Sequence, residues 1–247
     1  ARQNKILGIA SEKGRVDVDE LSHAFDVSPQ TIRKDLNELC DKQLLQRVHG
    51  GAIVGSGIEN VSYEARRLLA PEAKKSIGKK AAELIPDNSS LLLNIGTTTE
   101  QVAMQLSDHR GLLVISNNIN AITIMKNFMG VELIIAGGQV RRSDGGIVGG
   151  AAVDFINQFK VDYAVIGVSA IDEDGSLLDY DFREVRVAQA IMKNARHTIL
   201  VADAMKLERN APIRIGHISS IDTIVTDGAL PKKLTDICRD SGIEIVI

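Results

Sequence analysis

From residue 90 onward the chain alternates short, unbroken apolar runs with helix-length stretches, and this rhythm restricts the fold more than any other feature. The runs are 91-LLLNI-95, 112-LLVIS-116, 131-VELIIA-136, 163-YAVIGV-168, 198-TILVA-202, 223-TIVT-226 and 243-IEIVI-247. A strand with one wet face alternates apolar and polar residues, whereas a continuous apolar run fits a strand covered on both faces. Helical stretches between such strands imply βαβ units and a mostly parallel sheet. Ligands of such sheets lie beyond the carboxyl ends of the strands. With 3% aromatic residues and no Trp, the core must be built from Ile, Leu, Val and Ala.

The residues after those runs are polar. After 91-LLLNI-95 comes 96-GTTTE-100, opening a helix that contains Val102, Ala103 and Leu106. A Gly followed by three hydroxyl residues at a helix start suits a phosphate, because backbone N–H groups, Thr hydroxyls and the helix dipole all favour an anion. Simple capping by Thr explains the same residues equally well. Asn117 and Asn118 follow the second run, and Gly137 and Gly138 the third. The fourth leads to 172-DEDG-175, and the fifth to Asp203 and Lys206. Their convergence on one sheet edge is a stronger signal than any one of them.

The first fifty residues have another character. Residues 2–13 read as a helix burying Ile6, Leu7 and Ala10, with Gly14 as its stop. A short helix, 19-DELSHAF-25, is expected to turn Leu21, Ala24 and Phe25 inward with Asp19 as cap. Asp26 and Val27 make a turn, Ser28 caps the next helix, and Pro29 takes its first position, where a missing N–H costs nothing. In 28-SPQTIRKDLNEL-39 the apolar face is Ile32, Leu36 and Leu39. The other face carries Gln30, Thr31, Arg33, Lys34 and Asn37. Then 44-LLQRVHGGA-52 alternates as a ribbon with Arg47 and His49 on one side. Helix-turn-helix plus basic ribbon is a winged helix. Its second helix would enter a major groove, Arg33 pairing with guanine and Gln30 or Asn37 with adenine. Ser28, Thr31, Lys34, Arg47 and His49 are better placed for phosphates. Charge alone does not favour DNA: residues 1–55 hold eight Lys+Arg against eight Asp+Glu, and the whole chain carries −3. An ordinary helical subdomain with a solvated face fits that balance.

Residues 50–62, GGAIVGSGIENVS, read as a boundary or hinge. Residues 63–85 are helical with a new start at Pro71, and Arg66, Arg67, Lys74, Lys75, Lys79 and Lys80 read as a solvated face, with a position near DNA as the alternative. No apolar run is long enough for a membrane span, and no secretory leader is expected. Two lone thiols, Cys40 and Cys238, fit a reducing cytoplasm and lack metal-like spacing.

The run VSPQTIRKDLNEL…LLQRVHGGA resembles the signature of DeoR-family bacterial repressors, and the resemblance covers the whole N-terminal region. It implies binding to double-stranded operator DNA. The α/β part is similar to the family's sensor domain, whose fold is akin to ribose-5-phosphate isomerase. Within the family, 136-AGGQVRRSDGGIVGGAAVDFINQFKVDYAVIGVSAIDEDGSLLDYDFREVR-186 and 209-RNAPIRIGHISSIDTIVTD-227 are most like members that respond to glycerol 3-phosphate. The resemblance therefore implies that effector, or another phosphorylated polyol or sugar. It would place Gly96, Thr97, Thr98 and Thr99 on phosphate, Lys206 and Arg141 as cations, and Asn118, Asp179 and Glu184 on hydroxyls. Turn capping by Asp179, pairing of Glu184 with Arg183 or Arg186, and a surface Arg141 are the plain alternatives.

An isomerase is the competing reading. It would need carboxylates and a lysine for proton transfer. In 166-IGVSAIDEDGSLLDYD-181, Ile166 and Ser169 stand at the family's leading acids, and Asp179 stands near its lysine. Tyr180, Asp181 and Phe182 replace glycines. The acid–lysine set is lost while the cradle is kept, as a sensor requires. The expected architecture is α/β, with a winged helix-turn-helix at 1–55, a linker at 56–70 and a Rossmann-like sensor domain at 71–247. No enzyme activity, cofactor or metal is expected. Partners would be operator DNA, the phosphorylated effector and a second copy, as homodimer or homotetramer.

Overall fold

The computed structural model describes residues 2–42, 44–54 and 62–247, without the side chains of Ser11 and Glu12. The N-terminal unit comprises α1 (Arg2–Lys13), β1 (Arg15–Asp17), α2 (Val18–Phe25), α3 (Pro29–Asp41), β2 (Gln46–Val48) and β3 (Gly51–Ile53). Its core gathers Ile6, Leu7, Ala10, Val16, Leu21, Ile32, Leu36 and Leu39. α3 begins as its sequence predicts: Ser28 Oγ accepts from the Thr31 N–H at 3.2 Å, and Pro29 follows. α2 differs. It starts at Val18, and Asp17, not Asp19, is the cap, accepting from Asp19 N–H at 2.9 Å. Its inward face runs through Val18, Leu21 and Phe25, spaced i, i+3 and i+7, and Ala24 faces solvent. Asp26 closes α2 in the left-handed region at φ 50°, which a short polar side chain tolerates.

The ribbon has a third strand that the alternation of 44–52 does not reveal. β1 pairs antiparallel with β3, which pairs with β2, and His49 lies in the turn. Gly51 allows that pairing, since a Cβ there would stand 2.0 Å from the Val16 carbonyl oxygen. Most of the boundary segment 50–62 lies outside the described residues. Beyond it, α4 (Tyr63–Leu68) and α5 (Pro71–Glu83) are separate helices. Ala65 of α4 and the following Leu69 are buried in the N-terminal core.

The remaining elements are β4 (Ser90–Leu93), α6 (Thr97–Met104), β5 (Leu112–Ser116), α7 (Ile119–Met125), β6 (Val131–Ile135), β7 (Gln139–Arg141), β8 (Gly146–Val148) and α8 (Gly150–Ile156). Then come β9 (Val161–Ile166), β10 (Ala170–Ile171), β11 (Ser176–Asp179), α9 (Phe182–Lys193), β12 (Ala195–Val201), β13 (Ile213–His217), β14 (Thr223–Val225), α10 (Lys232–Asp240) and β15 (Glu244–Val246). The seven apolar runs form one sheet in the order β15-β14-β12-β9-β4-β5-β6, with every pairing parallel. Leu91 and Leu93 point into a core shared with α5, α6 and α7, while Leu92 points into the opposite core with α8, α9 and α10. That explains why the runs are apolar throughout. β6, at the sheet edge, is less covered, and Ile135 is 42% exposed. The hairpin β7–β8 and the antiparallel sheet β10-β11-β13 have no counterpart in the sequence reading. The chain steps outward from β4 through β5 to β6, then returns to β4's other side with β9. The switch of direction opens a crevice beyond the carboxyl ends of β4 and β9.

Candidate functional site

A cleft occupies that crevice, lined by Gly96, Thr97, Thr98 and Thr99 from the β4–α6 turn and by Gly167, Val168 and Ser169 after β9. Asp179, Glu184, Lys206 and Arg66 complete its wall. Gly96 has φ 147° and ψ 151°, a conformation only glycine adopts without strain. Thr99 Oγ1 donates toward the carbonyls of Asn94 at 2.9 Å and Gly96 at 2.8 Å, and the residue is fully buried. Thr99 therefore fastens the turn, and Thr97 and Thr98 face the cleft. The first N–H groups of α6 have no partner within the helix and add to its positive end.

Charge is concentrated around the cleft. Burial pushes the Lys206 ammonium down to about 7, with repulsion from Arg209 adding to it. Burial likewise pushes Lys74 down to about 8. Lys74 is 4% exposed and donates to the Arg66 carbonyl. Burial also raises two carboxyls: Glu184 to about 8, reinforced by the charge of Asp179, and Asp179 itself. Asp179 Oδ1 accepts from Ser169 Oγ at 3.1 Å and from the Tyr180 N–H at 2.7 Å. A protonated carboxyl donates a hydrogen bond and an ionised one accepts, so this pair suits a hydroxylated ligand, while Lys206 suits an anion.

Two expected ligand residues lie elsewhere. Arg141 does not line the cleft; its guanidinium binds Asp144 at 2.7 and 2.9 Å, Asp181 at 2.9 Å and Glu184 at 2.5 Å. Three acidic side chains occupy it, and it holds Glu184 at the cleft wall. The pairing of Glu184 with Arg183 or Arg186 is replaced by this one. Asn118 is fully buried behind the wall, where its Oδ1 caps α7 and its Nδ2 donates to Glu100 at 3.3 Å. Conversely, the sequence reading left Arg66 and Lys74 on a solvated face and passed over Arg209, yet Arg66 lines the cleft and the charges of Lys74 and Arg209 act on Lys206. Arg209 is 6% exposed, and burial lowers its pKa. The polar runs holding these residues give no sign of burial, because docking against other segments creates it.

On the N-terminal unit, Gln30, Arg33, Lys34, Asn37, Arg47 and His49 are all exposed, as is Ser28, while Thr31 is half-buried. α3 thus presents one polar face opposite Ile32, Leu36 and Leu39. Arg47 also donates to the Gly51 carbonyl at 2.7 Å, which holds it along the ribbon. Asp35, the buried acid of α3, turns inward to Arg2, whose Nε lies 2.5 Å away.

A winged helix with an open polar recognition face, joined to a doubly wound α/β domain, defines a DNA-binding regulator. Residues 2–56 match the DeoR-like helix-turn-helix domain, and residues 69–228 match the DeoR C terminal sensor domain. The Glycerol-3-phosphate regulon repressor of Escherichia coli (strain K12) is 42% identical over 244 residues, spanning 99% of this chain and 97% of that one. The repressor of the same name from Haemophilus influenzae is 42% identical over 100% of this chain and 96% of its own. Among solved structures, Ribose 5-phosphate isomerase from Plasmodium falciparum aligns with TM-score 0.40 and 16% identity, covering 56% of this chain and only 53% of that one. The chain belongs to the DeoR family. It is a transcriptional repressor, not an enzyme, and is closely related to glycerol-3-phosphate regulon repressors. No helix among the described residues is long and apolar enough to cross a membrane.

Proposed function

We propose that this repressor senses glycerol 3-phosphate in the cleft beyond β4 and β9, and that occupancy weakens its hold on operator DNA. The observation that carries the reading is the Gly96–Thr99 turn facing Lys206 across one cleft. Thr97, Thr98 and the α6 N–H groups would take the phosphate together with Lys206. Asp179 and Glu184 would take the glycerol hydroxyls, with Arg141 fixing Glu184 from behind. The name shared by the two relatives supports this choice of polyol phosphate.

On DNA, Arg33 would read guanine and Gln30 or Asn37 adenine, with Ser28, Thr31, Lys34, Arg47 and His49 on the backbone. We place the operator-reading unit at 1–55, the connecting segment at 56–70 and the sensor at 71–247. A homodimer or homotetramer would meet a palindromic operator. The test is operator anisotropy at fixed salt with and without glycerol 3-phosphate. Reciprocity requires operator DNA to weaken effector binding by the same factor, typically about 5–150-fold. A response to another sugar phosphate alone would replace the effector, and no response to any phosphorylated metabolite would end the reading.

A further inference from the structure

Arg66 stands out among the charged groups of the cleft wall because its hydrogen bonding is incomplete. Its side chain is 15% exposed and contributes to the lining. Its Nη2 reaches Asp144 Oδ2 at 3.3 Å, but that carboxylate is already held by both arms of Arg141, at 2.7 and 2.9 Å. Its Nε is buried and has no hydrogen-bond partner among the described residues. A buried donor left unsatisfied is costly, and native structures keep few of them. The guanidinium also lies over the Tyr63 ring, 5.9 Å from its centroid. A planar guanidinium with one long hydrogen bond and one idle N–H is suited to bidentate pairing with phosphate.

The helix that carries it makes this residue different from Lys206. α4 lies between the two segments matched by the family domains, 2–56 and 69–228. Its Tyr63 and Arg66 turn to the sensor: the Tyr63 hydroxyl donates to Glu100 of α6 at 2.7 Å and accepts from Asn120 at 3.0 Å. Ala65 and Leu69, one helical turn apart, are buried in the winged-helix core, 2% and 3% exposed. One short helix thus touches the cleft with one face and the DNA-binding core with the other.

We propose that Arg66 binds the phosphate of the effector directly, leaving Asp144 to Arg141, and that this exchange carries the occupancy of the cleft to the winged helix through α4. The inference rests on the reading of the cleft as a phosphate-ester site. For operator affinity to change, the ligand has to bind one placement of α4 more tightly than another.

The experiment uses the full chain. Calorimetric titration of the unaltered protein with glycerol 3-phosphate comes first; if neither it nor any other sugar or polyol phosphate binds, the cleft reading fails before Arg66 is tested. Given binding, Arg66→Met should weaken it by roughly 10- to 100-fold, the range for a hydrogen-bonded charge. Arg66→Lys should recover part of that loss, because it returns charge without the fork. A residue that only braced Asp144 would not alter charge selectivity. Arg66→Met should instead narrow the preference for dianionic glycerol 3-phosphate over its monoanionic methyl ester. Unchanged affinity and selectivity in Arg66→Met overturn direct contact. Hydrogen–deuterium exchange on the unaltered protein decides the coupling whether or not that variant folds. Peptides spanning residues 62–70 should change their exchange when glycerol 3-phosphate is added, and no change there overturns the route through α4.

Discussion

The hydroxyl oxygens of Ser28 and Thr31 lie 2.9 Å apart at the entrance of α3. Ser28 also accepts from the Thr31 N–H, so the two residues fix each other's side chains before any DNA arrives. The entrance of α3 is preorganised, and if α3 reads DNA as proposed, less ordering remains for binding. Ser28→Ala should lower stability by about 1 kcal/mol through the lost cap, measurable in a urea titration.

Base reading and phosphate gripping should separate on the exposed face of α3. Arg33→Ala should cost ~1–3 kcal/mol at the best operator and relax preference at one base position. Lys34→Ala should weaken all sequences alike and flatten the dependence of affinity on salt. Anisotropy over a set of operator variants at two salt concentrations distinguishes them. If Arg33→Ala leaves both affinity and preference intact, it does not read a base.

Thr98 and Thr99 should differ sharply despite being neighbours. Thr98→Val removes a hydroxyl that lines the cleft, so it should lower effector affinity at little cost in stability. Thr99→Val removes both bonds that fasten the turn, so it should also lower the melting temperature, by an amount corresponding to ~1–3 kcal/mol. Equal behaviour of the two variants in calorimetry and thermal unfolding would contradict this division.

Lys206 should trade stability for function. Its folded pKa of about 7 lies below the 10.5 of a free lysine, so the unfolded chain binds more protons between these values. Stability therefore rises with pH across that window, and the full penalty of burying the charge is present below pH 7. Lys206→Met should raise the melting temperature at pH 6.5 more than at pH 9, and abolish the response to glycerol 3-phosphate. Binding of a dianion should restore the lysine's proton, so the unaltered protein should take up protons on binding at pH 8 and bind more weakly as pH rises from 7 to 9. Titration in buffers of different ionisation heat reads that uptake.

Asp35 should make the N-terminal unit acid-sensitive. The hydrogen bond from Arg2 holds its carboxyl below the usual carboxylate range. A depressed folded pKa gives stability that is present above the unfolded value and lost as pH falls through the folded one. Asp35→Asn should lower the melting temperature at pH 7, and the deficit should shrink at acidic pH. A deficit independent of pH would assign the loss to packing.

The parts that the sequence made legible share one property: their signal is local. The apolar runs identify themselves because the inner strands of the sheet are covered on both faces, and 28-SPQT-31 identifies a helix start because capping involves near neighbours. β10 has two residues and β13 carries Arg214 and Gly216, so neither shows a strand pattern before its partners are known. Arg141 looked available to an anion because Asp144, Asp181 and Glu184 meet it only through the β7–β8 hairpin and the start of α9. Arg66 and Lys74 looked solvated for the converse reason, since a basic helix and one folded over a cleft have the same composition.

The burial of Ala65 and Leu69 in the winged-helix core bears on how such regulators can be recombined. A hybrid joined at residue 56, where the helix-turn-helix match ends, would give the DNA-binding unit a foreign α4 and leave its hydrophobic seam mismatched. A hybrid joined after Leu69 would keep that seam but deliver Tyr63 and Arg66 to a cleft shaped for another helix. Exchange of operator specificity between relatives is therefore constrained by a six-residue helix, α4, that belongs to both halves at once.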